Sequence, residues 1–597
     1  MRPLESRADY PRPQFVRDNF VSLDGPWLFA TDEQMKGLRD RWFDTAAPFD
    51  RTIQVPFPPE SAASGIGEDV DSPIWYRRSF EVEPRGDDRV ILHFEGVDYR
   101  ASVWVNGAHV IDHEGSQSRF SVDVTDVTRP GENFLVVRAE DERSLEQPRG
   151  KQDWQAEPHA IWYWRTSGIW RSVWLETVPA VRLDRLSLVP EPDLASVSFE
   201  ARVVGAVDPG TRLELEFRHE GRLLSRTSHE FISAVARGQS VLVHPGIGVE
   251  PESLWWTPES PVLIDVVARL VTGGTVLDSV DSYVGLRTVS TDPSCVLLNG
   301  RPYFLRLVLE QGYWPETHLA SPSLAALQRE AELVKSLGFN GIRMHQTSAD
   351  PRFLALCDRM GLVVLADAAA AYEFSDVSLS RTVSEVSAMV RRDLGHPCII
   401  GWVPFNESWG VPNLPTDTTQ REAVVALTAL VKALDPTRLV VGNDGWEFVA
   451  GDFVGVHDYT QSSAVLEERY GTEESARATV MGIRPGGRVV VVPGSEGAAA
   501  RLPILLSEFG GLSAHNAADA WSAYGEVLTA DGLARQLSEM IAVIGAGSGL
   551  AGYCYTQLTD TVQEMNGLLT ENREPKCPPE VIRAALLADQ GARVDAS

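Results

Sequence analysis

Cysteine is scarce in this chain of 597 residues, which has only five cysteines and no CxxC spacing. An odd and scattered set of this kind predicts neither a disulfide framework nor a zinc site. We therefore interpret most of the cysteines as small buried apolar residues. They are Cys295, Cys357, Cys398, Cys554 and Cys577.

Long apolar runs are also missing from the chain. No segment reaches the roughly 18 consecutive apolar residues that a membrane-spanning helix needs. The first residues, MRPLESRADYPRPQF, contain no apolar core of the length found in signal peptides. We expect no membrane partner and a cytoplasmic location.

Basic residues are outnumbered, with 54 Lys and Arg against 83 Asp and Glu, and the formal net charge is -29. Nucleic acids and anionic membrane surfaces are polyanions, so this balance argues against both as partners. Neither a nucleotide-binding glycine fingerprint nor a nucleophilic-serine elbow rises above chance. A neutral or small substrate is favoured.

The length indicates about three to four domains of roughly 150 residues each. Up to about residue 180 the chain shows short alternating strands such as IWYRRSFEV and ASVWVNGAHV, a pattern typical of an antiparallel sandwich. Residues 181–289 contain further strands, and a segment of this length suits a small immunoglobulin-like sandwich. We predict domain boundaries at 1–180, 181–289 and 290–597.

From about residue 290, apolar strands alternate with helical patterns, which predicts parallel βα units. Eight strands are predicted, the number that closes a (β/α)8 TIM barrel. They are YFLRLVLEQ, NGIRMHQ, LVVLADAA, IIGWVPFNE, LVVGNDG, FVGVHDY, PILLSEFGG and LAGYCYTQLTD. We expect the first helix to start at Ser321 and Pro322 and to end at Gly338. Residues 460–501 show no clear βα unit and are predicted to form a long, lid-like loop.

Two glutamates follow apolar strands of this predicted barrel. Glu407 ends strand four, in WVPFNESWG, and Glu508 ends strand seven, in PILLSEFGG. The carboxyl ends of the strands are where TIM barrels carry out chemistry. A pair of carboxylates there is what glycosidic cleavage needs, since one acid protonates the leaving oxygen and one carboxylate attacks the sugar. Each glutamate alone could instead cap a helix or form an ion pair.

Several segments spread along the chain resemble glycoside hydrolase family 2. They are DGPWLF, WYRRSF, VWVNG, SGIWRSVWLE, LWWTPESPVL, GHPCIIGWVPFNESWG, LLSEFGG and YTQLTDTVQEMNGLLT. The resemblance implies a multidomain fold with a jelly-roll-like sugar-binding β-sandwich, an immunoglobulin-like β-sandwich and a catalytic TIM barrel. It also implies a hydrolase of carbohydrate metabolism, and relatives in the family are often dimers or tetramers.

The resemblance assigns roles to five residues. It implies Glu407 as general acid/base, Asn406 as donor to the sugar 2-hydroxyl and Glu508 as nucleophile. Arg343 resembles the arginine that keeps the nucleophile ionised, and Tyr459 resembles the tyrosine that hydrogen-bonds it. We expect Arg343 to lower the pKa of Glu508 and the charge of Glu508 to raise the pKa of Glu407. These roles predict a retaining mechanism with carboxyl oxygens ~5 to 5.5 Å apart.

Other residues near the predicted barrel mouth are candidates for binding sugar. Aromatic rings stack on the C–H faces of sugars, although most tryptophans of a barrel belong to its core. The aromatic candidates are Trp314, Trp402, Trp409, Trp446 and Tyr555, the last at a position where the family has an aromatic platform. His345, Asp444, His457 and Asp458 end strands and could bind hydroxyls or satisfy loop backbone groups, whereas His396 is interpreted as structural. The loop at 148–164, which includes Trp154, could reach the site from the first domain or pack on the surface.

Some positions differ from the family pattern. Arg391 replaces a glutamate that binds magnesium in some relatives, so Asp393 and His396 offer too few ligands and we predict neither a metal site nor a cofactor. The stretch Asn566-Gly567-Leu568 lacks the lysine that binds the sugar carboxylate in β-glucuronidases, which disfavours a uronic acid unless an arginine takes its place.

The leading hypothesis is a retaining exo-β-glycosidase that removes a terminal neutral sugar, with galactose first and glucose, mannose or arabinopyranose behind it. A β-glucuronidase or β-mannosidase on the same barrel is an alternative. An endo-acting hydrolase and a non-catalytic carbohydrate-binding protein on this scaffold are two more. A homo-oligomer is compatible with all of them.

Overall fold

The computed structural model describes residues 10–46, 48–243, 250–514, 525 and 527–588. It confirms the predicted architecture of two β-sandwiches followed by a (β/α)8 barrel. Within the described residues, no helix combines the length and the apolar character that crossing a bilayer requires.

The first sandwich consists of two antiparallel sheets, ordered β1-β12-β5-β9 and β3-β2-β4-β10-β7-β8, with a short β11-β6 pair beside them. The alternation of buried and exposed residues creates its core, as in β3, where Ile53 and Val55 point inward while Thr52 and Gln54 are exposed. The strands are β1 (Phe20–Ser22), β2 (Gly25–Thr31), β3 (Arg51–Val55), β4 (Ile74–Val82), β5 (Arg89–Phe94), β6 (Val97–Asp98), β7 (Arg100–Val105), β8 (Ala108–Glu114), β9 (Phe120–Asp123), β10 (Gly131–Glu140), β11 (Gly168–Ile169) and β12 (Val173–Val178).

The second sandwich packs a three-stranded sheet, β13-β14-β17, against a four-stranded sheet, β16-β15-β18-β19. All the strand pairs are antiparallel. Leu213, Leu215 and Phe217 of β15 point into the shared core. The strands are β13 (Arg182–Pro190), β14 (Ser196–Val204), β15 (Arg212–His219), β16 (Arg222–Glu230), β17 (Val235–Val241), β18 (Ile264–Thr272) and β19 (Thr275–Val284).

A small antiparallel sheet, β20 (Val289–Thr291), β21 (Val296–Leu298) and β22 (Arg301–Tyr303), leads into the barrel. All eight predicted barrel strands are present and parallel, in the order β28-β26-β25-β24-β23-β32-β31-β30. Helices cover the outside of the barrel, so its strands are buried on both faces and read as continuous apolar runs. The barrel strands are β23 (Leu305–Glu310), β24 (Gly341–Met344), β25 (Val363–Asp367), β26 (Ile399–Val403), β28 (Leu439–Val440), β30 (Val454–Asp458), β31 (Ile504–Gly510) and β32 (Gly552–Thr556). Just beyond β26 and β28, β27 (Phe405–Asn406) and β29 (Asn443–Asp444) pair in a separate two-stranded parallel sheet.

Most helices of the barrel are capped by Ser, Thr or Asp side chains. The start predicted for the first helix was wrong, because Ser323, and not Ser321, is the N-cap and accepts a hydrogen bond from the backbone N–H of Ala326. The predicted end is confirmed by Gly338, which has a φ of 99°. The helices are α1 (Leu324–Leu337), α2 (Pro351–Met360), α3 (Asp376–Asp393), α4 (Thr418–Leu434), α5 (Ser463–Tyr470), α6 (Glu473–Gly482), α7 (Glu496–Ala499), α8 (Ala530–Ile544) and α9 (Pro579–Leu587).

The predicted lid-like loop at 460–501 was also wrong, because this stretch contains α5, α6 and α7. Ser462 caps α5, and Thr472 forms a capping box with Ser475 at the start of α6. Leu466 and Tyr470 of α5 are buried in the barrel core. The segment therefore packs on the barrel as two short helices and a single final turn.

The loop at 148–164 of the first sandwich docks directly on the barrel. The backbone N–H groups of Arg149 and Gly150 both donate to the carbonyl of Ala370, each at 3.0 Å. Gly150 has a φ of 59°, and a Cβ atom there would lie 2.2 Å from the carbonyl oxygen of Gln346. Glycine is therefore required where this loop meets the loops that follow β24 and β25.

Candidate active site

The two glutamates meet at the carboxyl ends of the barrel strands, which we call the barrel mouth. One oxygen of Glu407, one of Glu508 and one ring nitrogen of His457 all lie within 4.8 Å of one another. Glu508 is 4% exposed, whereas Glu407 is half-buried. The structure thus brings together two carboxylates separated by about a hundred residues of sequence.

Glu407 lies on a turn of unusual backbone geometry. Glu407 and Ser408 have φ values of 53° and 58°, in the left-handed region that non-glycine residues seldom adopt. Two hydrogen bonds to β29 hold the turn. The backbone N–H of Glu407 donates to the carbonyl of Asp444 at 2.9 Å, and that of Ser408 donates to the side-chain oxygen of Asn443 at 2.9 Å. Backbone strain held in this way is frequent at functional sites.

Arg343 forms the floor of the site and is completely buried. Its Nη1 donates to Oε1 of Glu508 at 3.0 Å and its Nη2 to Oδ1 of Asn406 at 2.7 Å. The same guanidinium donates to Asp367 at 2.9 Å and forms an ion pair with Asp444 at 3.0 Å. One guanidinium therefore fixes the nucleophile candidate and its neighbouring amide, as a planar fork of five donors can.

Asp367 and His345 form a second layer below the floor. Oδ2 of Asp367 lies 2.9 Å from Nδ1 of His345. Burial raises the pKa of Asp367 to about 8 despite the attraction of Arg343, and burial together with the charge of Arg343 keeps the pKa of His345 well below its ordinary value. At neutral pH this pair is therefore mostly uncharged and leaves the charge of Arg343 to the other carboxylates.

His457 lies between the two glutamates. Its Nδ1 is 2.7 Å from Oε1 of Glu407, and its Nε2 is 3.5 Å from Oε1 of Glu508. Burial opposes a charged ring, but Glu508, Asp444 and Glu407 raise the pKa of His457 to about 10. The surrounding carboxylates therefore favour the protonated ring, whereas Nη1 of Arg343, 3.2 Å from Nε2, opposes it.

The two glutamates titrate differently from the expectation. Burial alone would raise the pKa of Glu407, but the hydrogen bond and charge of His457 lower it below the ordinary value. Burial raises the pKa of Glu508, and the charges of His457 and Arg343 offset only part of that rise. In the unliganded site, these shifts favour a proton on His457 over one on Glu407, where sequence reasoning placed it.

Tyr459 donates a short hydrogen bond to Oε2 of Glu508 and thereby favours its ionised form. We expect Tyr459→Phe to raise the pKa of Glu508, so that the acidic limb of the kcat/KM profile moves to higher pH. A hydrogen bond to a charged group contributes about 1.5 to 3 kcal/mol, which corresponds to about one to two pH units. Activity measured across the acidic range would show this shift.

Tyr470→Phe is the matched control, because Tyr470 also donates to a carboxylate, that of Asp458 at 2.9 Å, but on the outer side of the strand. Its acidic limb should coincide with that of the parent. An unshifted limb in Tyr459→Phe would show that Glu508 does not set the limb.

Two predicted substrate-binding residues lie elsewhere. Asp458 binds Arg469 at 2.6 Å and Tyr470, so it anchors α5 rather than facing the barrel mouth. Tyr555 has no exposed surface, and its ring packs on Phe509. Its hydroxyl accepts a hydrogen bond from the N–H of Leu512. The aromatic-platform prediction for Tyr555 was therefore wrong.

The tryptophan candidates divide in the same way. Trp402 is fully buried and donates to Asp435, so it is a core residue, and Trp314 packs beneath the guanidinium of Arg573. Trp446 lies edge-on to the ring of His457, with centroids 5.8 Å apart. Trp409 is half-buried beside the turn that carries Glu407. Of these four, only Trp409 and Trp446 border the site.

Sequence reasoning missed Lys151 and Glu564. Lys151, from the first sandwich, is 6% exposed, and its charge lowers the pKa values of Glu407 and His345. Among the described residues, its ammonium group makes no hydrogen bond or ion pair. Burial raises the pKa of Glu564, which receives a hydrogen bond from Tyr163 and is also influenced by Lys151. No local pattern marks either residue, because each reaches the site from a loop outside the regular barrel strands.

The described residues contain two clusters with enough ligand atoms for a metal ion. The first consists of Glu407, His457 and Glu508 themselves. The second consists of Asp358, His396 and Cys398, at the opposite end of the barrel strands from the site. There Oδ2 of Asp358 already bonds to the ring of His396 at 2.6 Å and to the hydroxyl of Tyr283 at 2.7 Å. The second cluster thus ties the middle sandwich to the barrel.

Comparison with known proteins agrees with this organisation. The family model for the "Glycosyl hydrolases family 2, sugar binding domain" matches residues 20–179, that for "Glycosyl hydrolases family 2" matches 181–287, and that for the "Glycosyl hydrolases family 2, TIM barrel domain" matches 292–464. The chain is 27% identical over 470 residues to a β-glucuronidase of Rattus norvegicus, covering 70% of this chain and 67% of that protein. It is 29% identical over 352 residues to a β-galactosidase of Thermoanaerobacter pseudethanolicus, and this match covers 57% of this chain and 46% of that protein.

Solved structures share the whole architecture. A β-glucuronidase from an uncultured Clostridium superposes with a TM-score of 0.77 at 18% identity, covering 96% of this chain and 99% of that one. A family 2 β-galacturonidase from Eisenbergiella tayi gives 0.73 at 22% identity, covering 96% and 97%. At these identities the likeness establishes the fold. Matched in three consecutive parts by the models of one family and folded as their three domains, the chain belongs to glycoside hydrolase family 2, the hydrolases of O-glycosyl bonds.

Proposed function

We propose that this protein is a retaining exo-β-glycosidase in which Glu508 is the nucleophile and Glu407 the general acid/base. The observation that carries the proposal is the approach of their carboxylate oxygens to within 4.8 Å. Retaining enzymes hold the two carboxyl groups about 5 to 5.5 Å apart, whereas inverting enzymes need about 6.5 to 9.5 Å to admit a water molecule between them and the sugar. The spacing therefore favours retention.

In the first step Glu508 attacks the anomeric carbon, and the C–O bond to the leaving group breaks as Glu407 protonates the leaving oxygen. His457 can deliver the required proton along its 2.7 Å contact with Glu407, which leaves a neutral ring and a protonated carboxyl group. Once Glu508 is esterified by the sugar its negative charge is lost. Glu407, ionised after giving up its proton, then takes a proton from water, which hydrolyses the ester.

Exo action is supported by the docking of the first sandwich against the barrel mouth. The loop at 148–164 is bonded to the loop after β25 and also receives hydrogen bonds from Gln563, at the carbonyls of Ala160 and Trp162, each at 2.8 Å. The docked loop therefore narrows the mouth, which favours a pocket for a terminal sugar over an open groove.

The direct test is hydrolysis of aryl β-glycosides that carry galactose, glucose, mannose, arabinopyranose, glucuronic acid or galacturonic acid, with Glu508→Ala as the blank. The anomer formed first is then identified by NMR. We expect the β-anomer first, from a substrate whose cleavage depends on Glu508. An α-anomer formed first would exclude retention, and an absence of cleavage in every case would count against the whole proposal.

We place a β-galactoside first among the substrates, in part because Leu568 is a buried apolar residue where β-glucuronidases carry a lysine. A hexuronide is the second candidate, and Lys151 favours it. The Lys151 ammonium lies over the ring of Tyr163, 5.5 Å from its centroid, and its remaining N–H donors can bind a sugar carboxylate.

Lys151→Met distinguishes these candidates. If the substrate is a hexuronide, kcat/KM should fall about tenfold to a hundredfold, since a charge-assisted hydrogen bond contributes about 1.5 to 3 kcal/mol. If the substrate is a neutral sugar, the loss should stay below about tenfold. Lys151→Arg keeps the charge and should retain most of the activity on a uronide, whereas equal losses in the two variants would point to shape rather than charge.

A further inference from the structure

Four aromatic side chains form a continuous surface beside Glu407, which we call the aromatic shelf: Trp154 and Trp162 from the first sandwich, and Tyr372 and Trp409 from the barrel. The ring centroids of Trp162 and Trp409 are 5.4 Å apart, those of Tyr372 and Trp409 5.4 Å, and those of Trp154 and Trp162 4.7 Å. All four side chains are half-buried, so each keeps exposed surface.

The shelf lies on the side of the site from which the leaving group departs. Trp409 follows Glu407 by two residues. Its backbone N–H donates to the carbonyl of Asn406 at 3.0 Å, within the same turn. Tyr372 is also near, because its ring centroid lies 5.4 Å from that of Trp409. A general acid contacts the oxygen between the sugar and the aglycone, so groups that surround Glu407 on its outer side face the aglycone.

The polar atoms of the shelf are largely used within the protein. The Tyr372 hydroxyl donates to the carbonyl of Gly150. The ring nitrogens of the adjacent His159 contact Oδ2 of Asp153 at 2.6 Å and the amide nitrogen of Gln155 at 3.3 Å. The indole N–H of Trp409 is buried without a partner among the described residues. The indole N–H of Trp162 is unpartnered in the same way. The shelf therefore offers ring faces and indole donors, but few acceptors.

A second sugar would need acceptors as well as donors for its hydroxyl groups, and the shelf lacks them. A planar ring needs mainly flat apolar surface, and offset or edge-to-face contacts between aromatic rings contribute about 0.5 to 1.5 kcal/mol beyond the area that they bury. We propose that the aromatic shelf is an aglycone site that selects β-glycosides of aromatic alcohols and phenols. This inference rests on the proposed glycosidase function and specifies its aglycone.

The test compares benzyl and methyl β-glycosides of whichever sugar the panel identifies. Both leave as primary alcohols, so the two substrates differ in the ring rather than in leaving-group reactivity. We expect the parent to cleave the benzyl glycoside at least tenfold better in kcat/KM. Trp162→Ala and Trp409→Ala should each reduce this ratio at least threefold.

Trp164→Ala is the matched control. Trp164 belongs to the same loop, but its ring stacks on His318, 6.0 Å away, and not on the shelf, so the benzyl preference should persist. Cleavage of both glycosides with a ratio near one in the parent would overturn the aglycone site while leaving the glycosidase function intact. A shelf variant whose kcat/KM falls more on a β-linked disaccharide than on the benzyl glycoside would also overturn it, because the shelf would then bind a second sugar. If the parent cleaves neither of these glycosides and no aryl glycoside, the proposed glycosidase function itself is contradicted.

Discussion

Replacing Glu508 with glutamine should abolish turnover while leaving the fold intact. Loss of a covalent nucleophile can lower kcat on the order of 10⁶-fold, and no other described carboxylate takes the position in which Glu508 bonds to both Arg343 and Tyr459. Glutamine keeps the volume and an acceptor oxygen for one of these two donors. The measurement is kcat on the best substrate of the panel, together with the thermal midpoint as a check on folding.

Azide separates the roles of the two glutamates. In Glu508→Ala, azide can enter the space left by the carboxylate, attack the sugar directly and give an α-glycosyl azide. In Glu407→Ala the nucleophile survives, so azide attacks the glycosyl-enzyme and gives a β-glycosyl azide. General acid–base catalysis contributes about 10² to 10⁴-fold, so Glu407→Ala should retain more activity, especially on phenols that leave without protonation. The opposite pairing of azide products would exchange the two assignments.

The barrel and its two glutamates could be predicted because both depend on local patterns. A parallel strand buried on both faces reads as an apolar run, as Ile399–Val403 does, and the carboxyl ends of parallel strands converge at one end of a barrel. Residues that directly follow such runs therefore meet, however far apart they are in the chain. This reasoning placed Glu407 and Glu508 together, and the family resemblance added Arg343 beside them.

The helices at 463–482 were missed because they are too short to be stable alone and have weak apolar periodicity. Isolated helices below about 12 to 15 residues are marginal in water. Here Leu466 and Tyr470 are buried in the barrel core, so tertiary packing supplies the stability that the local sequence lacks.

The composition of the site also depended on contacts that no local pattern encodes. Lys151 comes from another domain, more than 250 residues before Glu407, and is brought into range by the docking of its loop at Ala370. The protonation of the glutamate pair was misjudged for a similar reason. Strand order indicated that His457 lies near the barrel mouth, but not that its ring bridges the two carboxylates.

Arg343→Met should be the most destabilising single change in the barrel. It leaves Asp444 and Glu508 buried without the cation that pairs with each at 3.0 Å. Removal of one partner of a buried ion pair costs about 3 to 5 kcal/mol, which for a domain of this size corresponds to a fall in thermal midpoint of about 5 °C or more. Activity should be lost as well, because the pKa of Glu508 rises further and Asn406 loses the donor that fixes its amide.

The pH dependence of this loss has a definite sign. Without Arg343 the folded-state pKa values of the buried carboxyl groups rise above their unfolded-state values. The stability that these groups contribute is then lost as the pH rises from the unfolded-state pKa through the folded-state pKa. The stability deficit of Arg343→Met relative to the parent should therefore grow from acidic to neutral pH. Thermal midpoints measured across this range test the claim, and a deficit that shrinks with rising pH would contradict it.

Two further variants identify the cause. Arg343→Lys keeps a positive charge but cannot present several donors in a planar fork, so it should recover part of the stability and little of the activity. Arg329→Met removes an arginine that is 65% exposed and only loosely paired with Glu332, at 3.8 Å. Such surface pairs contribute about 0 to 1 kcal/mol, so this variant should match the parent. Since the same guanidinium both compensates the buried carboxylates and aligns Glu508 with Asn406, the stability of the barrel floor and the chemistry at the mouth should be lost together.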